Sequence, residues 1–262
     1  QESQSKPIEI SFISLRTNKI PLNNIDIRLA IAKSLNRELI RNKVSFSLRN
    51  SATSLIPLIF KKENSVSWPD FDPKESKRIF KEQGYCNGNI FNLPLTYRSN
   101  VPTDKLIAFY WQQSVKAEMK DCFSISLNGV ESTTIYKNLS EGIYPSVILD
   151  WTGAYSDPEA YLSPLLSCEK FIGNNCLKGE SVFSGSFWAS EKVEKLFKES
   201  ENVEGVERLN KLLEIEKIAS KSLPYVPIWA SSQKAWAQKY ISKPVFNGAG
   251  IINMSELVRN EK

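Results

Sequence analysis

The sequence predicts an α/β chain, and two apolar rhythms together with their alternation carry that reading. Ile8, Ile10 and Phe12 alternate with polar residues as in a half-buried strand, and Leu93, Leu95 and Tyr97 do the same. Ile27, Ile31, Leu35 and Leu39 instead recur every four positions, as do Ile107, Trp111, Val115 and Met119. That spacing is the stripe of a helix resting on a core. Strand-like and helix-like segments take turns along the chain, the order expected of a sheet covered by helices.

In chain order, residues 1–7 read as a frayed, mostly polar lead, and the first strand follows from Ile8. Pro21 and Asn23-Asn24 turn the chain into a helix over about 25–41, with Arg28, Lys33 and Arg37 on its wet side. Residues 49–71 contain Pro57 and Pro69 and no sustained period, so they read as a loop. Asp72 is placed as the N-cap of the next helix, Pro73 at its first position, and Glu75 reaching back as in a capping box. Gly84 supplies the left-handed residue that closes it. A strand ends at Arg98, and Thr103 is placed as the cap of the following helix. Phe123, Ile125 and Leu127 mark another strand; a short helix covers about 132–140; Val147 to Leu149 run into Trp151 as a buried strand. Asp157-Pro158 opens a short helix. Two amphipathic helices follow over about 190–200 and 204–221, the second with Val206, Leu209 and Leu213 inward. Pro224 and Pro227 then frame Tyr225 to Trp229 as an extended crossing segment.

Composition narrows the function. With 13 Phe, 9 Tyr and 6 Trp among 262 residues, the chain has ample surface to bury and is not a disordered one. It has no histidine, which removes Ser-His-Asp and Cys-His nucleophiles, a His base and His-ligated zinc. A carboxylate pair or a Lys base is left open. The net charge of +5 is interspersed and gives no reason to expect nucleic acid. No apolar run approaches the ~18 residues of a membrane-spanning helix. The chain begins at Gln1 without a Met or a signal-type stretch, so either a targeting segment was removed or the chain is cut from something larger.

The four cysteines form no CxxC pair. Cys168 and Cys176 bracket a loop with Gly173, Asn174 and Asn175 as turn residues; they are either a disulfide or two small apolar side chains. GAGIIN from Gly248 fails as a dinucleotide fingerprint, no phosphate loop is present, and GESVF from Gly179 lacks the last glycine of a nucleophile elbow.

Three segments appear together in a recognisable order: NIDIRLAIAKSLNRELI from Asn24, FDPKESKRIFKEQGY from Phe71, and DWTGAYSDPEAYLSPLLSC from Asp150. FWASEKVEKLF from Phe187 and the run from Glu204 to Trp229 follow in register. Together they resemble the peptide/nickel-type extracellular solute-binding proteins of ABC importers (family 5, the oligopeptide- and dipeptide-binding relatives). The likeness runs from about Ile8 onward and is placed in the second half of a typical member. It implies the C-terminal lobe of a two-lobed, type II-like periplasmic-binding fold, a mixed sheet flanked by helices. Residues 8–223 would be that lobe, and residues 224–262 a crossing toward a missing first lobe, leaving Trp229, Trp236 and Val245 exposed.

The resemblance also implies a role and a site. The role is to bind a peptide or other small solute outside the cytoplasmic membrane, without chemistry and without a cofactor, and to deliver it to permease and ATPase subunits. The implied ligand residues are Arg98, Trp151, Thr152, Gly153, Ala154, Tyr155, Asp157 and Trp188. The aspartate that holds a ligand amine in peptide-binding relatives falls at Ala154, so that anchor is absent here; either Asp150 or Asp157 replaces it, or the ligand has no free amine there. Arg98 lies within about a residue of an arginine that grips the ligand carboxylate; it is alternatively a strand-end arginine in solvent. Trp151, Tyr155 and Trp188 would form an aromatic wall, with Trp151 alternatively in the core, and Asp157 alternatively only caps the helix after it. Two rivals stand beside this reading. One is a hydrolase using Asp150, Asp157 and Glu131; the other is an interaction or chaperone-like module built on the exposed crossing segment.

Overall fold

The computed structural model describes residues 1–60 and 67–259 of the chain. Its strands are β1 (Glu2–Leu15), β2 (Asn50–Ser51), β3 (Phe91–Arg98), β4 (Phe123–Val130), β5 (Ser146–Thr152), β6 (Lys170–Ile172), β7 (Asn175–Lys178) and β8 (Tyr225–Trp236). Its α-helices are α1 (Ile25–Lys33), α2 (Arg37–Val44), α3 (Pro73–Glu82), α4 (Pro102–Met119), α5 (Ser132–Asn138), α6 (Glu159–Leu166), α7 (Glu180–Phe183), α8 (Glu191–Ser200) and α9 (Gly205–Ser222).

Six strands form one mixed sheet in the order β2-β8-β1-β5-β3-β4. β3 runs parallel to β4 and to β5, while β1 lies antiparallel between β5 and β8. A parallel pair cannot be closed by a tight turn, and α4 makes the crossover from β3 to β4. The apolar stripe of α4 (Ile107, Trp111, Val115, Met119) is fully buried. Beside it the rings of Phe80, Phe91 and Phe123 stack, with centroids 4.9 to 5.6 Å apart.

β6 and β7 are a separate hairpin turning at Gly173, whose φ of +57° suits a residue without Cβ. A disulfide between Cys168 and Cys176 clips this hairpin at its base. A second disulfide joins Cys86 to Cys122, a pairing the spacing did not reveal.

Several sequence expectations are corrected. Residues 1–7 are not a frayed lead: β1 starts at Glu2 and pairs with β8 as far as Trp236, so backbone bonds rather than apolar burial order its polar half. The helix expected over 25–41 is two helices, because Asn36 accepts the Leu39 N–H at 2.9 Å and caps a new start. Arg28 and Arg37 are buried, not wet; Arg28 donates to the carbonyls of Leu22 and Ser222, and Arg37 to those of Pro69 and Pro227.

Within 49–71, of which 61–66 lie outside the described residues, Asn50–Ser51 joins the sheet. Asp72 does cap α3 through the Glu75 N–H, but Glu75 pairs with Arg78 instead of reaching back. Thr103 caps nothing: α4 begins at Pro102 with Val101 at the cap position and no side-chain cap bond. On α9 the buried residues are Leu212, Ile215, Glu216 and Ala219, and Val206 is exposed. A carboxylate is tolerated there because Glu216 accepts from the Ser54 hydroxyl and the N–H groups of Leu55 and Ile56.

Trp229 is 1% exposed, inside the sheet rather than left open; Trp236 and Val245 are exposed.

Candidate functional site

Arg98 stands at the end of β3 with its side chain buried, and its guanidinium is fully engaged by protein. Nε and Nη2 donate to Asp104 at 2.7 and 3.1 Å, Nη1 and Nη2 to Asp150 at 3.0 and 2.6 Å, and Nη1 also to the Tyr136 hydroxyl at 3.2 Å. A guanidinium has five N–H donors. All five are occupied, so Arg98 has none left for a ligand carboxylate, and neither the anchor nor the solvent-facing reading describes it. Burial alone would lower its pKa, but the two carboxylates outweigh that and hold it above the usual guanidinium range.

The turn after β5 reaches the surface at Ala154, Tyr155 and Ser156. Trp151 packs half-buried against the core and donates its indole N–H to the Ala160 carbonyl at 2.8 Å. Gly153 is buried under the Tyr161 ring. Asp157 accepts the Glu159 N–H at 2.8 Å through one oxygen, at the start of α6, and pairs through the other with Arg208 of α9 at 2.6 Å. Trp188, 3% exposed, belongs to the core and cannot wall a ligand. Of the residues expected at the site, Ala154 and Tyr155 are exposed, and Thr152 is half-buried, as are Trp151 and Asp157.

Register brings in residues that the sequence reading missed. Glu9 on β1 lies directly across from Thr152 on β5 and from Ser231 on β8; one step along, Ser11 faces Asp150 and Trp229. Cross-strand partners share a face of the sheet. The Arg49 guanidinium lies over the Trp229 ring, 4.4 Å from its centroid, and the Trp229 indole N–H donates to the Ser11 hydroxyl at 2.8 Å. Burial, then the charge of Asp150, pushes the Glu9 carboxyl up from its ordinary range. Only the alternation of Glu9 and Ser11 with Ile8, Ile10 and Phe12 hinted that these polar side chains share a face.

The comparisons with known proteins bear on this arrangement. Residues 1–172 match the family model described as bacterial extracellular solute-binding proteins, family 5 Middle. The chain belongs to this family. Heme-binding protein A of Haemophilus influenzae is 27% identical over 177 residues, covering 66% of this chain and 31% of that protein. Peptide transport periplasmic protein SapA of Salmonella typhimurium is 23% identical over 243 residues, covering 89% of this chain and 41% of its own length. Among solved structures, the dipeptide binding protein from Pseudoalteromonas sp. SM9913 in complex with Met-Leu superposes with a TM-score of 0.81 at 20% identity. It covers 99% of this chain and 50% of that one. HbpA2 from Haemophilus parasuis gives 0.81 at 19% identity, covering 100% and 50%.

These findings correct the placement within the family. The match falls on the first 172 residues and on the family's middle segment, not on a second half, and the assignment as a C-terminal lobe is withdrawn. The reason is visible in the chain: the three motifs that carried the likeness all end by Cys168, inside the matched stretch. What the fold shows is one lobe, a mixed sheet with helices, equivalent to half of each solved relative. The family is described as one of extracellular solute-binding proteins.

Proposed function

We propose that this chain is the binding component of an ABC importer, taking a peptide or peptide-like solute outside the cytoplasmic membrane and passing it to a permease. The family match over residues 1–172 carries the reading. Two disulfides accord with an oxidising compartment. The chain spans about half the length of the solved relatives, so the ligand would be held between this lobe, whose sheet takes in β1 and β8, and a second one. The segment after β8, residues 237–259, would continue toward that second lobe, which supplies a reason for the exposed Tyr240 and Val245. Thr152, Ala154 and Tyr155 would face the ligand. Closure is then the mechanism: contacts from both lobes favour the closed state that the permease recognises.

The test is titration of the chain with a panel of short peptides, followed by nuclear magnetic resonance. The expected result is saturable, weak binding that perturbs the Thr152–Tyr155 turn, because one lobe supplies only part of the contacts. No saturable change with any peptide at millimolar concentration would overturn the reading.

A further inference from the structure

The sheet ends on two unlike edges. β2 is 2 residues long, whereas β4 runs for 8, Phe123–Val130, and pairs on one side alone, with β3. The Phe91 N–H donates to the Cys122 carbonyl at one end of that ladder and the Ser99 N–H to the Val130 carbonyl at the other, with no shift of register between them. Backbone groups alternate sides along a strand, so the even-numbered residues of β4 bond to β3. Phe123, Ile125, Leu127 and Gly129 therefore turn their N–H and C=O groups outward. Among the described residues, one of these outward groups has a partner: the Ile125 carbonyl accepts from Gln112 Nε2 of α4 at 2.8 Å. Sheet edges are ordinarily blunted by charge, proline or a bulge, and FSISLNGV carries none of these.

The bond from Gln112 fixes which side of α4 borders the edge. Lys105, Phe109 and Lys116 share that side at helical spacing, and all three are exposed. A groove of about 390 Å³ lies between helix and strand, lined by Gln112, Lys116, Lys120, Phe123 and Ile125 among others, with no acidic side chain in its wall. Lys105, Lys116 and Lys120 have no ion pair among the described residues; Asp121, next to Lys120, is held by Lys77 at 2.8 Å. Glu118 faces away from Gln112 by the 100° step of the helix.

We propose that the β4 edge docks an extended acidic segment of another protein, which adds to the sheet as a further strand while its acids meet Lys105 and Lys116. A polypeptide supplies donors and acceptors at strand spacing; a phosphate or a membrane surface answers the lysines and leaves the edge unpaired. A second copy of this chain is opposed by charge. Antiparallel β4–β4 pairing about a two-fold axis sets the α4 helices side by side, with Lys105 of one against Lys116 of the other. The edge is also separated from β8, after which the chain would lead to a second lobe, by β1, β5 and β3. Lys105 and Lys116 stand ~16 Å apart along the helix. Acids four residues apart on one face of a strand stand ~13 Å apart, within reach of both lysines. Phe109 between them seats an apolar residue.

The experiment titrates acetyl-Thr-Glu-Thr-Val-Thr-Glu-Thr-amide into the full chain, following backbone amides by magnetic resonance and hydrogen exchange. Saturable shifts and slowed exchange are expected at the N–H groups of Phe123, Ile125, Leu127 and Gly129. Two N-methylated peptides, one blocked at the Glu and Val amides and one at the inner Thr amides, should differ about tenfold or more, because one set alone faces β4. Lys105→Glu with Lys116→Glu, at exposed positions and checked by circular dichroism, should weaken the acidic peptide about tenfold and strengthen its counterpart with Lys for Glu. Equal loss from both methylation patterns would mean charge attraction without strand pairing and overturns the proposal. So does the absence of shifts along β4 at millimolar peptide. Inorganic phosphate or anionic vesicles that reproduce the β4 shifts overturn the choice of a polypeptide. A mass that rises with concentration, together with protected β4 amides before any peptide is added, makes the occupant a second copy and overturns it too.

Discussion

Arg98 and Asp150 are joined by two parallel bonds of 3.0 and 2.6 Å, and this fork ties β3 to β5 just where the exposed turn begins. Asp104, from the first turn of α4, grips the same guanidinium from the other side. The arrangement joins the ends of β3 and β5 to the start of α4.

Removing Asp104 leaves Arg98 buried with only part of its pairing. Asp104→Ala should therefore destabilise the chain by about 3–5 kcal/mol, the range for breaking a buried pair from one side. Urea unfolding measures this; a loss below 1 kcal/mol, in roughly the range of a surface pair, would show the network to be solvated.

Glu9 makes the opposite prediction. Its carboxyl is raised by burial and by Asp150, with Arg49 and Arg98 opposing. A raised folded pKa leaves no penalty below the unfolded value and a growing one as pH climbs through the folded value. Glu9→Gln should accordingly raise Tm at pH 7, and the gain should fade as pH drops below the ordinary carboxylate range. A gain of the same size at both ends of that scan would assign the effect to something other than charge.

Gly153 and Tyr161 set a steric limit. A Cβ on Gly153 would lie 2.7 Å from the Tyr161 ring, and the ring cannot easily move because its hydroxyl donates to the Ile8 carbonyl at 2.8 Å. Gly153→Ala should destabilise by about 1–3 kcal/mol, as overpacking does. A double-mutant cycle with Tyr161→Ala should recover most of that loss; independent, additive effects would dissociate the pair.

The two disulfides differ in the loops that they close, 36 against 8 residues of separation. Loop-closure entropy gives about 4 kcal/mol for the first and about 2.5 kcal/mol for the second. Cys122→Ala should therefore lower the urea midpoint more than Cys176→Ala. The reverse order would mean that the hairpin clip matters for reasons beyond chain entropy.

The parts of the fold that were readable are those set by local physics. The α4 stripe and the Asp72 cap need only residues a few positions apart, and both appear as expected. What was not readable depends on partners far along the chain. The burial of Trp229 follows from its seat between β1 and β2, and the first half of β1 is ordered by β8 more than 200 residues away. The candidate site suffered most for the same reason. Arg98 was legible as a strand-end arginine, but its fate was decided by Asp150, 52 residues on. Glu9 and Arg49 carried no motif at all; only the strand register places them beside Thr152 and Trp229.

That register has a mechanical consequence. Glu2 on β1 is paired with Trp236 on β8, so beyond Glu9 and Ser231 this ladder continues as a two-stranded ribbon, with residues 243–250 alongside it. Bending concentrated in that narrow ribbon would let the body swing as a unit while its interior packing stays undisturbed. A torque applied at the ribbon would reach Glu9 and Ser231 first, because they are the pair that sits where ribbon merges into body.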